Sequence, residues 1–132
     1  MSGHKGLARW HEYMERGSDP ALLAELLADD AVFHSPVVHT PQAGKLVVTA
    51  YLVAAAHVLG NESFHYVREL VDGDEMMLEF VTELDGIAIN GVDIIRFNED
   101  GKISDFKVMV RPLKAINKVW EMMAAQLAAA KG

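Results

Sequence analysis

The chain contains no cysteine and only 4 prolines in 132 residues. No disulfide framework and no thiolate metal cluster can form, and thiols give no information on the redox compartment. Long apolar runs are also missing. The longest, residues 50–59, is interrupted by Tyr51 and His57 and falls well short of the ~20 residues that cross a bilayer. Residues 1–8 lack the apolar stretch of a secretory signal, so a cytoplasmic protein with no membrane partner is expected. Basic clusters are absent too: 12 Lys and Arg against 19 Asp and Glu leave a formal net charge of −7. An acidic surface repels phosphate backbones, which argues against nucleic acid as a partner.

What is present is globular. Hydrophobic residues make up 51 % and charged residues 23 %, and a chain of this length buries roughly two-thirds of its unfolded surface as one domain. No repeat, linker or composition break divides residues 1–132, so a single domain is expected.

Periodicity supplies the elements. Leu7, Trp10 and Met14 form one stripe of a helix from Leu7 to Arg16, stopped by Gly17. Ser18-Asp19-Pro20 starts a second helix that runs to about Leu27. A short strand, Ala31 to Ser35, leads into a loop bounded by Pro36 and Pro41. A third helix, Lys45 to Leu59, is apolar nearly all round. Four strands follow: Glu62 to Val71, Glu75 to Leu84, Ile87 to Phe97 and Lys102 to Arg111. Asp72-Gly73, Asp85-Gly86 and Asn98-Glu99-Asp100-Gly101 are their hairpin turns. A last helix spans Leu113 to Ala129. Strands segregated from helices indicate an α+β fold with an antiparallel meander.

Strand alternation then assigns faces. Met76, Leu78, Phe80 and Thr82 form a core face. Ile103, Asp105, Lys107, Met109 and Arg111 fall on the face opposite Phe106 and Val108, and are expected at solvent or a partner. In Ile87 to Phe97, Asp93 shares its side with Ile95 and Phe97, while Arg96 points the other way. A carboxylate on an apolar side needs a raised pKa, a bonding partner or hydration. Asp93 is therefore the sharpest chemical anomaly in the sequence.

Several stretches together resemble the superfamily of nuclear transport factor 2, ketosteroid isomerase and the SnoaL-like cyclases. These are Ala28-Asp29-Asp30-Ala31, Ser35-Pro36-Val37 followed by Gly44 and a helix, and Val92 to Phe97 leading into Asp100-Gly101-Lys102-Ile103. The resemblance implies a cystatin-like, cone-shaped α+β barrel, with helices packed on a curved mixed sheet around an apolar pocket. It also implies a homodimer through the outer sheet face, where Met77, Val81, Val92, Ile94, Lys107, Met109 and Arg111 gather. Ketosteroid isomerases use a helix tyrosine, an early-strand carboxylate base and a later aspartate. Trp10, Ser35 and Asp93 occupy those positions here, so only the aspartate is kept. The epoxide-hydrolase set of the superfamily is also incomplete, with Val108 at its second acid and Arg96 outside.

Asp93 is the candidate acid/base residue, against the plainer alternative of a structural carboxylic acid bonded to Trp10 or Tyr51. Trp10, Met14, Phe33, Ser35, His39, Tyr51, Phe80, Phe106 and Val108 are the candidate ligand contacts, although core packing alone accounts for most of them. His34 and His39 lack the third ligand and convergent spacing of a metal site, and His34 points outward. No metal or other cofactor is expected. Two functions remain open: a cofactor-free isomerase, cyclase or hydratase acting on a small hydrophobic molecule, and a non-catalytic ligand-binding or dimeric assembly module.

Overall fold

The computed structural model describes residues 2–131. Its element order is α1 (Ser2–Glu15), α2 (Pro20–Leu26), β1 (Leu27–His34), β2 (Gln42–Ala43), α3 (Lys45–Leu59), β3 (His65–Asp72), β4 (Glu75–Leu84), β5 (Ile87–Phe97), β6 (Ile103–Arg111) and α4 (Leu113–Lys131). The α+β expectation holds. One open sheet has the strand order β2-β1-β6-β5-β4-β3. β3 to β6 form the antiparallel meander, and β1 joins it parallel to β6, which makes the sheet mixed. Among the described residues, no helix is long and apolar enough to cross a membrane.

Local chemistry explains the helix boundaries. α1 ends where Gly17 and Ser18 take positive φ of 73° and 60°. There Ser18 N–H donates to the Tyr13 carbonyl at 3.0 Å and Gly17 N–H to that of Met14 at 3.3 Å, a glycine-terminated helix end. Asp19 caps α2 by accepting from the Ala21 N–H at 3.0 Å, with Pro20 in the first turn. α1 begins earlier than its apolar stripe suggests. Glycine explains this: Gly6 is buried, and a Cβ there would lie 2.1 Å from the Phe97 ring. The first turns of α1 thus sit directly on the sheet without a large apolar residue to mark them.

The core lies between the helices and one face of the sheet. β4 alternates as expected, with Met76, Leu78, Phe80 and Thr82 buried. β6 departs from simple parity. Ile103 is 1 % exposed, although it belongs to the outward set by alternation. A register shift between Arg96 and Phe97 places Phe97 opposite Ile103 while Arg96 stays opposite Asp105. A single bulge reverses the facing of everything beyond it, so Ile103 turns inward and Asp105 to Arg111 keep the expected pattern.

α3 is less buried than its composition suggests. Val48, Leu52, Ala54 and Val58 face the core, while Leu46 stands 88 % exposed. β3 begins at His65 rather than Glu62, because Asn61 folds the preceding residues into a turn, its Oδ1 accepting from the Ser63 N–H at 2.9 Å.

Gly91 is a tight point of the sheet. It pairs with Phe80 across β4 and β5, and a Cβ there would fall 2.4 Å from the Phe80 ring and 2.9 Å from the Met109 carbonyl oxygen. The ring can shift but the carbonyl cannot without breaking sheet pairing. Gly91→Ala is therefore expected to cost about 1–3 kcal/mol, measured as a lower urea midpoint with an unchanged slope.

Candidate functional site

Side chains from α1, α3, α4 and every long strand converge on one cavity of about 80 Å³. Its walls are apolar almost throughout. α1 supplies Trp10, Tyr13 and Met14. The sheet supplies Phe33 from β1, Tyr66 from β3, Phe80 from β4, and Phe106, Val108 and Val110 from β6. α3 and α4 close it with Leu52, Leu59, Val119 and Met123. A dry apolar cavity of roughly 150 Å³ takes up benzene. The chamber thus suits a compact group, and a larger ligand must extend outward. A more open cleft beside it, lined by His11, Glu15, His57, Asn61 and His65, shares Met14, Ser18, Tyr66 and Phe64 with the chamber wall.

Asp93 lies on the chamber wall, 7 % exposed. β5 puts it there by register: it sits between Leu78 of β4 and Val108 of β6, with both neighbours buried. Burial pushes its carboxyl up to about 7, partly opposed by one hydrogen bond that favours the ionised form. That bond comes from Tyr66, whose hydroxyl donates to Asp93 Oδ2 at 3.1 Å. Trp10 Nε1–H in turn donates to the Tyr66 oxygen at 2.9 Å. An indole N–H can only donate, so Trp10 fixes the polarity of the chain and directs the Tyr66 proton to the carboxyl. Burial and the neighbouring Asp93 also raise the Tyr66 phenol well above its usual value, which keeps it a neutral donor. Among the described residues, Asp93 Oδ1 has no hydrogen-bond partner.

Of the residues singled out in sequence, Trp10, Met14, Phe33, Ser35, Phe80, Asp93, Phe106 and Val108 all line the chamber. Tyr51 and His39 do not. Tyr51 is one residue out of phase with Leu52 on α3, and its ring packs on Phe33 with centroids 5.4 Å apart. His39 is exposed in the loop before β2. Neither Trp10 nor Tyr51 bonds Asp93 directly, since Tyr66 takes that place. Ser35 Oγ is engaged locally, accepting from the Val37 N–H at 3.1 Å. His34 faces outward and meets Asp105 at 2.9 Å. Among the described residues, no cluster of three metal-ligating side chains exists.

Tyr66 is the partner of Asp93 that alternation does not find. β3 is an edge strand with mostly exposed side chains, and its pairing slips between Tyr66 and Arg68. No periodic signal survives those two effects. The one available clue is the spacing of Phe64 and Tyr66, two aromatics two residues apart. Both face inward, Phe64 stacking on Phe80 at 5.1 Å.

Comparison with known proteins agrees with this architecture. The SnoaL-like domain profile matches residues 7–106. A solved structure described as a steroid delta-isomerase from Pseudomonas aeruginosa is 40 % identical, with a TM-score of 0.90, covering 98 % of this chain and 93 % of that one. An uncharacterised protein with a cystatin-like fold from Silicibacter pomeroyi is 34 % identical, with a TM-score of 0.85, covering 93 % and 85 %. A nuclear transport factor 2-like protein of unknown function from Mesorhizobium loti, 21 % identical with a TM-score of 0.71 over 84 % and 92 %, shares the fold. No curated protein matches the chain. With its cavity, its mixed sheet and a profile match over most of its length, the chain belongs to the SnoaL-like family.

Proposed function

We propose that this protein is a cofactor-free isomerase, cyclase or hydratase that binds a small, mostly apolar carbonyl compound in the chamber and uses Asp93 to move a proton. One observation carries the proposal: a buried carboxyl with a pKa of about 7 on an apolar cavity wall, with one oxygen held by Tyr66. Near neutral pH such a group exists in both protonation states, as a general acid/base requires.

A single carboxylate suffices for a proton shift. Ionised Asp93 takes a proton from the carbon beside a carbonyl onto Oδ1. The C–H electron pair moves into the new C=C bond, and the carbonyl pair moves onto oxygen. Return of the same proton to a conjugated carbon restores the carbonyl and the carboxylate, and no outside oxidant or base is consumed. Protonated Asp93 can instead donate to a developing oxyanion. The Pseudomonas aeruginosa relative described as a steroid delta-isomerase supports carbonyl chemistry. Ser35 stands where a ketosteroid isomerase has its base, and its oxygen accepts from Val37, so the reaction proposed here relies on Asp93 alone. The Ser35 arrangement also favours the second function, ligand retention without turnover.

The discriminating experiment is a thermal-shift panel of steroids, terpenoids and aromatic ketones, followed by product analysis of the compounds that stabilise the protein. Asp93→Asn is expected to lower turnover of any converted compound by about 10²–10⁴-fold while the fold persists. Unchanged turnover in that variant sinks the catalytic proposal, and stabilisation without product supports the binding function. Tyr66→Phe removes the bond that favours the carboxylate, so the acidic limb of the rate profile should move to higher pH.

Stability provides a second check on Asp93. Its folded pKa of about 7 exceeds the ordinary 3.8. The folded state therefore holds the proton more tightly, and the associated stability is fully present below pH 3.8 and is lost as pH rises through 7. At about 1.36 kcal/mol per pH unit, roughly 4 kcal/mol is the upper limit of that loss. Asp93→Asn should flatten the stability profile over this window in urea titrations. A wild-type and variant difference that is constant from pH 4 to 7 rules out the shift.

We further propose a homodimer through the outer sheet face. Leu70, Met77 and Met109 are 57 %, 42 % and 52 % exposed there, beside Arg68, Glu79 and Arg111 of opposite signs. Large apolar side chains flanked by both charges suit a self-complementary contact. Sedimentation should show a dimer, and Met77→Glu with Met109→Glu should give a folded monomer. A wild-type monomer at micromolar concentration excludes this interface.

A further inference from the structure

Among the described residues, one buried side-chain polar atom has no hydrogen-bond partner, the hydroxyl of Tyr13. Tyr13 is 1 % exposed and lines the same chamber as Asp93. It falls on the α1 stripe with Trp10 and Met14, and its ring packs against Trp10 with centroids 4.9 Å apart. The Ser18 hydroxyl lies close enough to ease ionisation of the phenol, but it makes no hydrogen bond of ordinary geometry with it. Burial outweighs that influence and raises the phenol above its usual value, so the group stays neutral and able to donate.

Several other polar groups on the chamber wall are already engaged. Asp93 Oδ2, the Tyr66 hydroxyl and Trp10 Nε1 bond to one another, and Ser35 Oγ accepts from Val37. Apart from the Ser18 and Ser35 hydroxyls, two positions are left for a ligand's polar atoms: Asp93 Oδ1 and the Tyr13 hydroxyl. A buried hydroxyl with no partner is costly, and in native structures such groups point to a role. A tyrosine is an expensive way to fill an apolar wall when phenylalanine has the same ring.

We infer that Tyr13 is a second ligand-anchoring residue, and that the compound held in the chamber carries two neutral oxygen functions, one met by Asp93 and the other by Tyr13. This rests on the chamber being a ligand site. The second oxygen is a carbonyl, hydroxyl or ether rather than an anion. An ionised group there would lose its hydration among apolar walls with no cation on the lining to offset it. Ser18 borders both the chamber and the outer cleft. The Tyr13 anchor therefore stands near the passage between the two, where it selects among molecules that share one carbonyl end.

The test is affinity rather than turnover, which separates it from the catalytic proposal. 2-Naphthol is compared with 1,6-, 2,6- and 2,7-dihydroxynaphthalene by fluorescence titration of the intact protein. At least one dihydroxy isomer is expected to bind the wild type about tenfold more tightly than 2-naphthol, the size of one hydrogen bond made in a dry site. Tyr13→Phe should erase that gain and leave the affinity for 2-naphthol unchanged. Asp93→Asn should alter the affinity of both kinds of probe. A gain that survives Tyr13→Phe, no gain with any isomer, or no saturable binding at all overturns the inference. Folding gives an independent check, because an unpartnered hydroxyl contributes nothing to the native state. Tyr13→Phe should keep or raise the urea midpoint, and a clear fall would mark the hydroxyl as a structural bond and overturn the inference as well.

Discussion

The bond from Tyr66 to Asp93 ties the carboxyl on the chamber wall to the frame of the domain. It joins the edge strand β3 to the central strand β5 across β4, and Trp10 extends it to α1. Without it, an aspartate among Leu78, Ile95 and Val108 would ionise only at a higher pH. With it, ionisation stays costly but reachable near neutral pH. The same three residues join helix and sheet, so the stability of the chamber and the acidity of its carboxyl are set by one set of contacts.

Much of this organisation is legible in the sequence because it follows short-range rules. Asp72-Gly73, Asp85-Gly86 and Gly101 sit at the turns between β3 and β6, and strict alternation in β4 and β5 places Asp93 inward. The start of α3 follows from Gly44. What escapes has identifiable physical causes. Ile103 turns inward because a bulge near Phe97 resets parity, and bulges leave no periodic trace. α1 starts early because Gly3 and Gly6 make the contact, and glycines carry no hydrophobic signal. β2 is a two-residue strand whose existence depends on β1 lying beside it.

The site shows the same division. Asp93 is visible because a charge on an apolar face violates a local rule. Its partner Tyr66 obeys every local rule, being an aromatic on a half-exposed edge strand, and only the register against Phe80 brings it to the chamber. Tyr13 is invisible for a related reason: its helical position marks it as core, and nothing in the pattern reveals that its buried hydroxyl lacks a hydrogen-bond partner. Anomalies can be read from one dimension, whereas pairings and missing pairings require three.

The edge position of β3 has a further consequence. An outermost strand is bonded along one side only, and local opening begins at such margins. Each opening that carried Tyr66 away would withdraw the donor and admit water to the chamber together. Those changes act oppositely on Asp93, because loss of the bond favours the neutral acid while hydration favours the anion. The acidity of a carboxyl two strands away is thus tied to how firmly the outermost strand stays paired.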